Sequence, residues 1–225
     1  MHRALDTPGA EWCYTSKMLK VERFINELMS SNCYIVVDEA SKHCICIDPA
    51  SEKSLREIEY IEKNGLKLDY IILTHEHTDH TWGVNALVKQ FGAQVICSEI
   101  CKQNLAKEFQ AYFLLYYDNP DYHYTVCRVD KTTEELGDKL EWEGFNIEFI
   151  YTPGHSMGSI CLLVDGMLFT GDSVIQSKPY INKRNGSKEA LKNTMKTVNS
   201  HFEEEQLIYP GHGDTFMLKD WINRP

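Results

Sequence analysis

At 225 residues the chain is long enough to bury one substantial core. Hydrophobic residues make up 43% and charged residues 25%, the balance of a globular protein rather than a membrane-spanning one, and no apolar stretch is long enough to cross a bilayer. A formal net charge of -10 argues against nucleic acid as the main partner, but leaves open a small anionic substrate whose charge is met by a metal ion.

Residues 1–17 read as an N-terminal extension without the apolar core of a signal peptide. The eight scattered cysteines are then expected to be reduced core residues of a cytoplasmic protein. "NCYIVVDEASKHCICIDPA" reads as two β-runs joined by a polar turn from Asp38 to Lys42, with Cys44 and Cys46 alternating with Ile45 and Ile47. "SEKSLREIEYIEKNGLKL" predicts a helix capped by Ser51, with Leu55, Ile58 and Ile61 on its apolar face and Gly65 as its stop. "DYIILT" is a short apolar run suited to a strand covered on both faces. A helix over "WGVNALVKQFG", ending at Gly92, and a strand at "AQVIC" follow.

The segment 102–130 is rich in aromatics, including Tyr116 and Tyr117, and is expected to form a lid that shapes an acyl or aromatic group; a dimer contact is the competing use. "NIEFIYTPGH" and "SICLLVDGMLFTGD" read as strands, the second folded back at Asp165-Gly166. "SKEALKNTMKTVNSHF" has helical spacing, "QLIYPGH" is a strand and loop, and "FMLKDWINRP" a short end piece. Strand-rich halves with interspersed helices predict one domain over 1–225, built of two packed sheets with helices outside.

The chemistry concentrates in "THEHTDHTWG", where His75, His77, Asp79 and His80 fall within six positions directly after an apolar strand. Histidines at i and i+2 on a loop can converge on one cation, and neutral imidazole with carboxylate is the donor set of a zinc site with an open position. Asp79 and His80 project differently and suit a second metal. Three further strand ends carry ligand types in glycine-containing turns: His155 in "TPGHSMGS", Asp172 in "FTGDS" and His212 in "YPGHGD".

These four motifs, in this order, resemble the metallo-β-lactamase superfamily and within it the glyoxalase II-like branch; the resemblance runs from "NCYIVV" to "NRP". It implies an αββα sandwich, an α/β fold with two mixed sheets packed face to face. It implies His75, His77 and His155 on a first divalent ion, Asp79, His80 and His212 on a second, and Asp172 bridging them. Asp48 of "IDPA" matches an aspartate that supports the site from behind the ligands. Zinc is the expected metal, with iron or manganese as alternatives.

Two ions and a bridging water imply a hydroxide at neutral pH that attacks a carbonyl, with Asp79 orienting the nucleophile or moving its proton. The expected activity is hydrolysis of a small thioester, ester or lactone, as in the hydroxyacylglutathione hydrolases. Asp172 stands where true β-lactamases commonly carry cysteine or serine, which disfavours antibiotic hydrolysis. The further helical domain that helps glyoxalase II bind glutathione has no counterpart before Pro225, which puts glutathione thioesters in doubt. The basic stretch "QSKPYINKRNGSK" offers Lys178 as a clamp for an anionic group and the Tyr180 hydroxyl for a developing oxyanion. Two rivals stand beside the hydrolase: a mononuclear non-haem iron enzyme resembling persulfide dioxygenases, and a non-catalytic metal-binding module. Neither nucleic acid nor membrane is an expected partner, and a homodimer is an open possibility.

Overall fold

The computed structural model describes residues 18–106, 124–177, 179–181 and 185–222. One sheet contains β1 (Leu19–Ile25), β2 (Asn32–Asp38), β3 (His43–Ile47), β4 (Lys67–Ile72), β5 (Gln94–Cys97) and β6 (Lys131–Thr132), in that spatial order. Its first three strands are antiparallel and the rest parallel. The other sheet runs from β7 (Lys139–Trp142) through β8 (Phe145–Tyr151), β9 (Ile160–Val164), β10 (Met167–Gly171) and β11 (Leu207–Pro210) to β12 (Phe216–Met217). Only β10 and β11 are parallel there. Parallel neighbours need crossovers, and helices supply them. α1 (Leu55–Lys63) joins β3 to β4; α2 (Thr78–Thr81) and α3 (Val84–Phe91) join β4 to β5; α4 (Glu99–Leu105) follows β5. α5 (Lys188–His201) joins β10 to β11, and α6 (Leu218–Ile222) follows β12.

Alternation along each strand divides the side chains between layers. Cys44 and Cys46 of β3 pack outward with Ile61 of α1 and Leu87 of α3. Ile45 and Ile47 face the second sheet and meet Ile147, Leu162 and Phe169. On the far side of that sheet, Cys161, Leu168 and Ile208 pack against Val198 of α5. The result is the αββα sandwich, with helices on both outer faces. No helix among the described residues is long and apolar enough to cross a membrane. At one edge the sheets are tied by polar contacts: His43 Nδ1 lies 2.7 Å from Asp69 Oδ2 and 3.2 Å from Glu143 Oε1, and Trp142 Nε1 donates to Asp69 at 2.9 Å.

The elements read from the sequence are found, with three differences. α1 is preceded by Ser54, at φ 43°, and Ser51 instead accepts the Ser54 amide through its carbonyl at 3.0 Å. Leu55 is 67% exposed, and Ile58 and Ile61, with Tyr60, form the apolar face of that helix. β1, β6 and β7 were not anticipated. β1 and β7 are edge strands in which charged Lys20, Glu22, Lys139 and Glu141 alternate with apolar side chains, so neither is an apolar run. Of the expected lid, residues 107–123, with Tyr116 and Tyr117, lie outside the described residues.

Glu57 of α1 is 2% exposed, and its Oε2 has no hydrogen-bond partner. Burial raises its pKa above the ordinary glutamate value. The folded chain therefore holds this proton to higher pH than the unfolded chain, and stability is lost as pH rises from the ordinary value through the folded one. Glu57→Gln is expected to stabilise the fold by about 1 kcal/mol at pH 7, with the gain shrinking toward pH 4. Thermal melts at the two pH values check this.

Candidate metal centre

All the histidine and aspartate candidates meet at one edge of the sandwich, because the chain leaves β3, β4, β8, β10 and β11 in the same direction there. β4 ends at Ile72, and Thr74 begins the loop that runs into α2 with His75, His77, Asp79 and His80. The loops after β8, β10 and β11 bring His155, Asp172 and His212 from the second sheet. Close backbone approach makes glycine obligatory at two points. A Cβ on Gly171 would stand 2.3 Å from Thr74 Oγ1, and one on Gly211 would stand 2.2 Å from Asp172 Oδ1.

His75, His77 and His155 form one group: His75 Nε2 is 3.1 Å and His155 Nε2 2.8 Å from His77 Nδ1. Asp79, His80 and His212 form a second: His212 Nε2 lies 3.4 Å from Asp79 Oδ2 and 3.4 Å from His80 Nε2. Asp172 stands between them, with Oδ2 3.4 Å from His155 Nε2 and 3.6 Å from His212 Nε2, and Oδ1 3.5 Å from His80 Nε2. Each histidine triplet or mixed triplet is close enough to share one ion.

Groups behind the ligands orient them. Asp48 accepts the Thr74 amide at 2.8 Å and the Thr74 hydroxyl at 2.6 Å, and its Oδ2 lies 3.0 Å from His80 Nδ1. Thr74 Oγ1 is 3.0 Å from His75 Nδ1, and the Tyr180 carbonyl is 2.6 Å from His155 Nδ1. Asn185 reaches His77 Nε2 at 3.3 Å and also donates to buried Glu76.

The electrostatics fit a cation. Burial, reinforced by the neighbouring rings, pushes the His75 pKa well down, and burial lowers that of His155 to about 4. Both present neutral imidazole at pH 7, the form a metal binds. Burial also disfavours charge on Asp79 and His80. The histidines around Asp79 outweigh it and hold that carboxyl well below its usual range. Asp172, Asp79 and Asp48 do the same for His80 and raise it to about 10. Asp172 Oδ1 is buried and has no hydrogen-bond partner among the described residues. Converging imidazole lone pairs and an unpartnered buried carboxylate oxygen are a donor set that a divalent metal completes.

A cavity of about 200 Å³ opens over the centre. Apolar Leu28, Met29 and Trp82 line it with Tyr180, beside Asp79 and Asp172. The structure thus brings together His75, His77, Asp79, His80, His155, Asp172 and His212, with Asp48 behind them. Tyr180 meets the centre through its carbonyl, while its side chain is 66% exposed at the cavity rim. Lys178 lies outside the described residues. Sequence reasoning missed Thr74, Asn185, Trp82 and the Leu28–Met29 pair. The one available signal was Trp82, a bulky aromatic directly after the ligand run.

Comparison with known proteins places the chain in a family. The chain is 30% identical over 186 residues to the probable polyketide biosynthesis zinc-dependent hydrolase PksB of Bacillus subtilis, covering 80% of this chain and 72% of the relative. It is 28% identical over 189 residues to the hydroxyacylglutathione hydrolase GloC of Haemophilus influenzae, covering 81% and 85%. Among solved structures, the BLEG-1 B3 metallo-β-lactamase superposes with a TM-score of 0.79 at 23% identity, over 92% of this chain and 97% of that one, a likeness of fold. Residues 27–212 match the metallo-β-lactamase superfamily as a whole, and the chain belongs to that family.

Proposed function

We propose that this chain is a dinuclear, metal-dependent hydrolase in which attack on the carbonyl carbon of a small thioester, ester or lactone breaks its acyl–sulfur or acyl–oxygen bond. The observation that carries the reading is the position of Asp172, within 3.4–3.6 Å of histidines from both ligand groups. On this reading His75, His77 and His155 hold one ion, Asp79, His80 and His212 the other, and Asp172 both. The names of the two hydrolase relatives support the same reaction class.

Two divalent ions in this set supply a polarising charge and an acidified water at neutral pH. The protein's own part is orientation and proton handling. Asp48 and Thr74 fix the rings of His80 and His75. Asp79, on a side chain that is 18% exposed beside the cavity, orients the nucleophile or moves its proton. Leu28, Met29 and Trp82 seat the acyl portion and keep water from it.

Metal content per chain tests this, measured on protein purified without added metal and followed by a thioester and lactone screen. Two equivalents of zinc with turnover that a chelator abolishes is the expected result. One equivalent of iron, with oxygen consumed in the presence of persulfides, overturns it in favour of a mononuclear oxygenase.

A further inference from the structure

The histidines of the centre are not anchored alike. His75, His80 and His155 each have the ring nitrogen facing away from the centre within 3.0 Å of a neighbouring protein oxygen, and His77 Nε2 lies 3.3 Å from Asn185. His212 is the exception: among the described residues its Nδ1 has no hydrogen-bond partner. Its side chain is 26% exposed. Metal-binding histidines are ordinarily oriented through that second nitrogen, so the placement of His212 must come from its backbone.

That backbone is held by the residues where the turn after β1 enters β2. Ser31 forms an isolated antiparallel bridge with His212. The Asn32 amide donates to the Gly211 carbonyl at 2.7 Å, and its side-chain Nδ2 lies 2.9 Å from the Pro210 carbonyl and 2.8 Å from that of Gly213. The Tyr34 hydroxyl donates to the Pro210 carbonyl as well, at 2.8 Å. Ser31 also reaches Asp79 of the same group, its hydroxyl donating to the Asp79 carbonyl at 2.7 Å. Ser31 is 0% and Asn32 1% exposed, and the bonds from Asn32 and Tyr34 to the Pro210 carbonyl are buried away from solvent. The anchors of His75, His77 and His155 come from elsewhere, through Thr74, Asn185 and Tyr180.

We infer that Ser31 and Asn32 are positioning residues for the second half of the centre: they set the spacing of Asp79 and His212, and through it decide whether the chain carries one ion or two. The inference rests on the dinuclear reading above. It follows from tolerance, because ligands must stand within about 0.5 Å of their working positions, and the loop from Pro210 to Gly213 loses two side-chain bonds when Asn32 is truncated. The turn before Ser31 carries Leu28 and Met29 into the cavity wall, so one short segment serves both the substrate seat and the second half-site.

Zinc binding to the purified full chain, titrated against a competing chelator, tests this, with cobalt absorption spectra as a signature of each group. In Asn32→Ala the weaker ion is expected to bind about 10- to 100-fold less tightly, while the first ion keeps its affinity and its cobalt spectrum. Ser31→Ala should act in the same direction by a smaller factor. It deletes one hydroxyl only, and decides the matter where Asn32→Ala does not fold by circular dichroism. Two ions at unchanged affinity in the variants, or equal weakening of both ions, overturns the inference alone. A wild-type chain that binds a single ion overturns the dinuclear reading and the inference together.

Discussion

Asp79→Ala is expected to lower kcat for a thioester or lactone by about 10²- to 10⁴-fold, the range of a removed proton-transfer group, while leaving the fold intact. The carboxylate lies outside all three hydrophobic clusters, so its truncation opens no core cavity. The structural bond made by this residue, from the Ser31 hydroxyl, goes to its main-chain carbonyl, which alanine retains. What the variant removes is a charge 3.4 Å from His212 Nε2 and 3.7 Å from His80 Nε2, at the mouth of the cavity, and with it one ligand of the proposed second ion. Asp79→Asn separates shape from charge, and should resemble alanine in kcat if the proton is what matters. Steady-state kinetics on both variants, with thermal melts as the control for folding, check this. Full activity in either one would remove Asp79 from the mechanism.

Asp48→Ala should be the most damaging change to stability. Asp48 is 2% exposed and joins three groups: the Thr74 amide, the Thr74 hydroxyl and His80 Nδ1. Removing one partner of a buried, charge-assisted set costs about 3–5 kcal/mol, because the others stay buried without it. Asp48 also holds φ 53°, a left-handed conformation that aspartate and asparagine tolerate better than alanine. Metal affinity should fall with stability, by about 10- to 100-fold, as it does when groups behind the ligands are lost. Urea unfolding of metal-free protein checks the first effect and zinc titration the second. Asp48→Asn, which keeps the shape and the backbone preference, should lie between wild type and alanine in both. A loss under about 1 kcal/mol for alanine, within the range of an ordinary single hydrogen bond, would show that the carboxylate is not the joint of this edge.

Much of the fold was legible because layers leave marks in the sequence. Cys44, Ile45, Cys46 and Ile47 are apolar on both faces, as a strand between helices and a second sheet must be. The edge strands β1 and β7 left no such mark, since one side of each faces solvent and carries charge. The seven candidate ligands were legible for a related reason: a histidine or aspartate directly after an apolar run is placed at a sheet edge by the run itself. Their supports were less so. The Tyr180 carbonyl that meets His155 is a main-chain atom, and any residue would supply it. Trp82, Leu28 and Met29 look like core residues in the sequence, and only the fold shows them facing a cavity.

His80 and His212 are 132 residues apart in the chain and 3.4 Å apart in space. Contacts of such separation are closed late in folding, after local elements have formed, because a long loop must first be brought together. The two ligand groups therefore reach full coordination only when the two sheets dock. A cation bound at once to residues 75–80 and 155–212 acts as a reversible cross-link across that docking surface. It adds little to the early steps of folding and slows the undocking that begins unfolding. The edge of the sandwich proposed to carry out the chemistry would thereby also be its clasp, with the lifetime of the folded chain tied to the residence time of a bound metal.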